Sequence, residues 1–354
     1  MHASGADQVE AAVTHGVAAL GAVTDRDWTG VRAGRLEWDC RGTAVHVASD
    51  LIAYAGQLAG RARDAYAPFD IALDDGTDNS GVLHVITTAG VLLAAAVRTT
   101  PRSVRAFHPY PFRHAGREGF AAMGVAEVLL HTHDIAEGLG IAYEPPAELC
   151  EFVLTRIFPH VRPGPSPWPT LLWATGRGGL EGREPVTAWR WCNNPVLRSE
   201  RLGLEGVTPA VAASLSVAGD GGFTWAGGAP AEGTRVGAGI GVKQYEEGAY
   251  LPEWGMYVLV RREDDRAVGA MGFHGAPADG RVEIGYDLVV EARGNGYATE
   301  ALRTLSAWAL EQDAVRTVVA VVEEPNVPSQ KVVTRAGFTE VSRQEGRITY
   351  ELRA

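Results

Sequence analysis

The chain's 354 residues exceed one ordinary hydrophobic core, and 46% hydrophobic with 21% charged residues is a globular composition, so two domains are expected. A formal net charge of −11 argues against nucleic acid as a main partner, because phosphate binding needs a basic footprint. No apolar run reads as long enough to span a membrane, no basic stretch followed by an apolar core opens the chain, and Cys40, Cys150 and Cys192 lack CxxC spacing, which together point to a reducing cytoplasm.

The first part reads as helix. ADQVEAAVTHGVAALGAVT is apolar at helical spacing, and GTAVHVASDLIAYAGQLAGRARDAY repeats the pattern with Thr43 as a candidate cap. HVITTAGVLLAAAVRTT and REGFAAMGVAEVLLHTHDIAEGLG supply two more, so the spacing predicts a four-helix, up-and-down bundle. PPAELCEFVLTRIFPH adds a shorter helix, and the proline-dense VRPGPSPWPT is read as closing that unit. LLWATGRGGLEGREPVTAWRWCNN then reads as an ordered appendage on the bundle. From Pro195 short strand-like runs alternate with helices. MYVLVRRE and AVGAMGFHG form a hairpin, VEIGYDLVV is a strand, ATEALRTLSAWALEQ a helix, and VRTVVAVV another strand. SQKVVTRAGF and ITYELRA close with a helix and a strand. The glycine-rich AGDGGFTWAGGAPAEGTRVGAGIG reads as a mobile or substrate-facing loop. Domains are therefore expected over residues 1–194 and 195–354.

Within the bundle, Glu127 and His131 lie four residues apart and share one face of a helix. His46, on the second helix, is the best third partner. Two imidazoles and a carboxylate suit zinc or another divalent first-row metal, with Asp134 placed to hold His131 and His133 pointing away. The alternative is a satisfied core histidine beside a surface glutamate. His108 and His114, in FHPYPFRHAGREG, are read as solvated loop residues. WDCRGTAVHVASDL followed by FAAMGVAEVLLHTHDIAEGLG resembles the N-terminal domain of mycothiol-dependent maleylpyruvate isomerases, within the DinB-like four-helix superfamily; with the tail, the likeness covers residues 5–192. The resemblance implies a metal on His46, Glu127 and His131 that activates a thiol such as mycothiol. Of the 32 basic residues only Lys243 and Lys331 are lysines, a bias of GC-rich genomes such as those of actinobacteria.

In the second part, the strand VEIGYDLVV runs into Arg293-Gly294-Asn295-Gly296-Tyr297-Ala298, which opens a helix. Consecutive backbone N–H groups there form an anion site. GxGxxG and a P-loop lysine are both missing, which removes the nucleotide-binding readings. R-x-x-G-x-A between strand and helix, followed by EEPNVPSQKVVTRAGF, resembles the GNAT acyltransferases over residues 197–354. The resemblance implies an α/β (α+β) GNAT fold with a mixed central sheet and acetyl-CoA as cofactor. Amides of Asn295–Ala298 would cradle its pyrophosphate, with Arg293 heading the loop. Leu288, Val289 and Val290 would pair with the pantetheine arm, and Asn326 would hold the arm from the other side. Ser329 would protonate the leaving thiolate, since no Tyr lies between Asn326 and Phe338. The amine must lose a proton before attack; Glu283 is the first choice of base and Glu345 the alternative. The expected function is N-acylation of a small-molecule or peptide amine, fused to a metal-dependent thiol-using bundle. Two alternatives stand: thiol transfer or isomerisation in the bundle with an accessory GNAT unit, or a bundle that only binds or dimerises. Neither nucleic acid nor membrane is expected as a partner, and an oligomer is allowed.

Overall fold

The computed structural model describes residues 4–353. The chain divides into two compact units, one ending at Asn193 and one beginning at Asn194.

In the first unit four long helices pack together: α1 (Gly5–Gly21), α2 (Cys40–Gly60), α3 (Asn79–Thr99) and α4 (Arg117–Leu139). Both α1 and α2 pack against α3 and α4. Short polar side chains set their starts. Ser4 and Asp7 form a reciprocal capping box, Asp39 accepts from the Gly42 N–H, and Asp78 accepts from the Gly81 N–H. Thr43, the expected cap of α2, instead lies a turn inside it and donates to the Asp39 carbonyl at 2.8 Å. The carboxylate upstream reaches the free N–H groups first. Contrary to the membrane reading, α3 is long and apolar enough to cross a bilayer by length and composition. Here Val82, Ile86, Leu93 and Val97 bury one apolar face within the bundle, while Val91 and Leu92 stay exposed.

Helix α4 runs through the middle: from Phe120 to Ala136 only His133 is not buried. Its charged residues therefore lose water on every side and must find partners inside the protein. α5 (Ala147–Ile157) follows, then α6 (Pro167–Ala174). The proline-rich run read as a terminator thus opens a helix, because Pro in the first turn gives up no hydrogen bond. The tail after α6 is ordered, with Trp173 Nε1 donating to the Glu184 carbonyl at 2.8 Å.

The second unit holds β1 (Val196–Arg198), β2 (Leu202–Gly206), α7 (Pro209–Ser216), β3 (Thr224–Trp225), α8 (Glu232–Glu247), β4 (Met256–Arg261) and β5 (Arg266–Phe273). β6 (Arg281–Leu288), α9 (Tyr297–Leu310), β7 (Thr317–Glu323), α10 (Val327–Arg335), β8 (Thr339–Gln344) and β9 (Arg347–Arg353) complete it. The strands form a mixed, nine-stranded sheet in the order β1-β2-β4-β5-β6-β7-β9-β8, with β3 parallel to β5 beside that path. The parallel pair β6–β7 is short: Arg281–Glu283 pair with Thr317–Val319. Beyond Glu283, β6 stays on β5 as far as Leu288 while β7 stays on β9 as far as Glu323, so the two strands fork.

The stretch read as a glycine-rich loop contains β3 and the first part of α8. Gly233, Gly237 and Gly241 recur four apart on one helix face, and this bare stripe lets α8 approach the sheet. A Cβ on Gly233 would come within 2.8 Å of the Asp287 side chain, and one on Gly237 within 3.2 Å of Met256 Sδ. Each helical glycine costs roughly 0.5–1 kcal/mol relative to Ala, offset here by the close approach.

Candidate functional site

Two clusters emerge, one in each unit. In the first, α2 and α4 each offer an i, i+4 pair: His46 with Asp50, and Glu127 with His131. Ligand atoms of His46, Glu127 and His131 all lie within 4.8 Å of one another. His131 Nε2 stands 3.1 Å from Glu127 Oε2, and His46 Nε2 stands 3.2 Å from Asp50 Oδ2. Behind them His131 Nδ1 meets Asp134 Oδ2 at 3.0 Å, which fixes the ring and leaves Nε2 as its ligand atom. Asp134 is gripped in turn by Arg177 from the tail, at 2.8 Å from Nη2 and 3.0 Å from Nε. Tyr54 donates to Glu127 Oε1 at 3.1 Å.

Burial works against a charged His131, but the Asp134 and Glu127 carboxylates outweigh it and raise the imidazole to about 9. Burial would also neutralise Glu127, yet His131, the charge of His46 and the Tyr54 hydroxyl hold it below the ordinary carboxylate range. Asp50 moves the other way: burial, then the neighbouring negative Glu127, push it up against the weaker pull of His131. Burial lowers His46 toward the neutral, ligating form. One buried anionic carboxylate, two convergent imidazole nitrogens and a carboxylate orienting one ring are the donor chemistry of a zinc-type site, so the residues fit a divalent metal.

The cluster opens into a cavity of about 410 Å³ walled by Trp38, Trp189 and Trp191, with Arg35 and Arg177 on its sides. Sequence reasoning reached Asp134 but missed Asp50, Tyr54 and Arg177; only Asp50 carried a local signal, the HxxxD spacing that mirrors ExxxH. His133 does point away, its ring 5.4 Å from that of Trp168. His108 departs from its solvated reading: it is buried, with Nδ1 3.2 Å from the Tyr110 carbonyl.

In the second unit the fork between β6 and β7 leads into the turn before α9. Gly294 and Gly296 both adopt φ 80°, and no side chain caps the helix, so its first N–H groups have no side-chain acceptor from a cap. Arg293 turns back on the strand: Nε and Nη2 lie 3.2 and 3.1 Å from the Leu288 carbonyl. Arg201, missed in the sequence, donates from Nη1 to the Asn295 carbonyl at 3.0 Å, with its guanidinium 4.8 Å from the Tyr297 ring centroid. Leu288 ends β6, whereas Val290 belongs to the following 3-10 turn and is exposed. Asn326 caps α10 by accepting from the Ser329 N–H at 3.2 Å. The Ser329 carbonyl accepts from the Tyr286 hydroxyl at 3.3 Å, so a tyrosine does reach this place, but from β6 rather than α10.

A second cavity, of about 280 Å³, lies between α8 and strands β4 to β6. Glu283 closes the last pair of β6 with β7 and holds His274 Nδ1 at 3.0 Å. His274 lines the cavity and Glu283 does not. Glu345 is not brought to it either: it stands exposed at the tip of the β8–β9 turn with φ 51°.

Residues 201–339 match the family model described as an acetyltransferase (GNAT) domain. Among curated proteins, the chain is 35% identical over 83 residues to the uncharacterized N-acetyltransferase YjdG of Bacillus subtilis (strain 168), covering 23% of this chain and 49% of that protein. It is 32% identical over 83 residues to the uncharacterized N-acetyltransferase p20 of Bacillus licheniformis, covering 23% and 47%. The chain thus spans about half the length of the curated relatives it matches. Among solved structures, the acetyltransferase from Agrobacterium tumefaciens str. C58 aligns at 24% identity and a TM-score of 0.33, covering 49% of this chain and 100% of that one.

Proposed function

Residues 201–339 form a GNAT acetyltransferase domain, and from that premise we propose that the chain transfers an acetyl group from acetyl-CoA to a primary amine. One observation carries the reading: β6 and β7 separate after Glu283, and the freed β6 edge leads directly to uncapped N–H groups at the start of α9. A strand edge offers a row of hydrogen-bonding groups to an extended amide chain such as pantetheine. An uncapped helix N-terminus favours a diphosphate through its N–H groups and its dipole. Amides of Asn295 to Ala298 would bind the pyrophosphate, while Arg293 and Arg201 hold the turn in shape. Asn326 shapes the far wall by starting α10. Isothermal titration of the full chain with acetyl-CoA, then detection of free CoA thiol on adding amines, tests the reading. Failure to bind acetyl-CoA sinks it.

A second reading concerns the first unit and is favoured by the convergence of His46, Glu127 and His131 with Asp134 behind them. These three residues would hold zinc or a similar ion, consistent with the resemblance to mycothiol-using domains. The ion, when bound, supplies Lewis acidity that lowers the pKa of a thiol. Asp134 and Arg177 keep His131 in its ligating orientation, Tyr54 steadies Glu127, and the tryptophan walls limit water. Elemental analysis should find one equivalent of zinc, lost in His46→Ala; retention of the full equivalent in that variant refutes the ligand set.

A further inference from the structure

The cavity between α8 and strands β4 to β6 has a distinctive lining. Its lining is mostly small and apolar, with Val236 and Ile240 from α8, Met256, Met271 and Phe273 from the sheet and the glycine stripe of α8; Thr234, Gln244 and Tyr286 add neutral polar groups. Its one carboxylate, Asp287, is already engaged, accepting from the Gly233 N–H at 2.8 Å and standing 3.6 Å from Arg293 Nη2. A second cationic group on the substrate would meet no free anion in this lining. Of the other titratable lining groups, Tyr286 already donates to the Ser329 carbonyl at 3.3 Å, which leaves His274. The β5–β6 register pairs Phe273 with Ile284, so His274 falls across from Glu283. The His274 N–H donates to the Glu283 carbonyl at 3.0 Å, and Gln244 Nε2 donates to the His274 carbonyl at 3.3 Å. Both bonds fix the backbone from which the ring projects. With Nδ1 tied to Glu283 Oε1, Nε2 lies over Gly285, near enough that a Cβ there would be 2.8 Å from it. Glu283, Gly285 and Asp287 share one face of β6, the face that α8 covers.

We infer that the acyl acceptor is a primary amine bearing a compact, uncharged apolar group, and that His274 Nε2, positioned by Glu283, removes its proton. The inference rests on the acyl-transfer reading. His274 takes one proton from the ammonium group and passes it to solvent. The neutral nitrogen forms its bond to the thioester carbonyl carbon, the C–S bond breaks, and the second nitrogen proton leaves with the thiolate as CoA thiol. The products are the N-acetyl amide, CoA and one released proton. His274 is the catalytic residue, and Glu283 is a positioning residue that sets the ring and its tautomer.

The test uses the full chain with acetyl-CoA and, as probes, leucinamide, 2-phenylethylamine and isoamylamine against spermidine. The apolar amines should be acetylated and spermidine should lag by at least about tenfold in kcat/KM. His274→Ala should lower kcat by about 100-fold or more, the scale of lost general-base catalysis, with acetyl-CoA affinity unchanged and activity partly restored by added imidazole. Gly285→Ala, which displaces the ring without removing it, should lower kcat in the same direction. Glu283→Gln should fall roughly tenfold, and its residual rate should no longer respond to imidazole as His274→Ala does. His274→Ala within about threefold of wild type, a preference for spermidine, or a wild type that binds acetyl-CoA yet acetylates none of the apolar amines overturns the inference. A wild type that does not bind acetyl-CoA fails earlier, at the acyl-transfer reading itself.

Discussion

Replacing Asp134 by alanine tests how the first unit holds its cluster. The carboxylate side chain is 4% exposed and serves His131 and Arg177 at once. Arg177 is itself 13% exposed, so the substitution strands a guanidinium with no carboxylate beside it and lets the His131 ring turn. Breaking a buried pair by removing one partner costs about 3–5 kcal/mol, because the surviving charge stays desolvated. In a unit of this size each kcal/mol moves the midpoint by about 2–4 °C, so Asp134→Ala should lower the melting of the first unit by about 6–20 °C. Calorimetry of the full chain measures it. Arg177→Met in the same background removes the stranded charge and should recover most of the loss, a coupling that independent sites would not show. Asp134→Asn keeps the shape and loses the charge; zinc affinity, followed by competition with a chromophoric chelator, should fall about 10–100-fold. A midpoint shift equivalent to less than about 1 kcal/mol in Asp134→Ala, or no recovery with Arg177→Met, refutes the reasoning.

Gly296→Val forces a β-branched residue into φ 80° and shields the amides of the turn; strain of about 1–2 kcal/mol or more should raise the acetyl-CoA Kd at least about tenfold by calorimetry, and an unchanged Kd would contradict the proposed turn. Burial pushes the Cys40 and Cys150 thiols up to about 11 and about 12. At pH 8 the thiolate fraction is then no more than about one in a thousand at either, so mass-spectrometric mapping should find native labelling by iodoacetamide confined to Cys192. In Gly138→Ala the new Cβ would sit 2.2 Å from the Arg32 carbonyl oxygen and 3.0 Å from Cys40 Sγ; backbone must move, and stability measured in urea should fall by about 1–3 kcal/mol. Glu300 resists burial's upward pull because Ser199 and Arg201 hold it below the ordinary carboxylate range. The stability it gives the second unit is therefore present above about pH 4.3 and lost as pH falls below that range. Glu300→Gln should flatten that part of an acid-unfolding curve.

What could be read from the chain beforehand, and what could not, divides along the range of the interactions involved. The four long helices announce themselves because apolar residues recur within a few positions, and Glu127 and His131 share a face for the same reason. α8 hides behind the number of its glycines: Gly233, Gly237 and Gly241 keep helical spacing, and at Gly233 and Gly237 the lack of a side chain is what the close approach of the sheet requires. Tyr54 and Arg177 reach the buried carboxylates from other elements, so no local window contains their partners. His274 is the clearest case. It is an unremarked residue after a strand until the register of β5 on β6 sets it opposite Glu283. Under the proposed mechanism, the carboxylate that alone read as the base becomes the group that aims one. Each unit thus repeats one arrangement: a carboxylate holds one nitrogen of a histidine so that the other faces a cavity, Asp134 behind His131 and Glu283 behind His274. In the first the ring lies deep among charges suited to a metal. In the second it is half exposed beside the α8 cavity, where the proposed mechanism passes a proton on to water. The depth of the ring, more than the pair itself, would separate the two proposed chemistries.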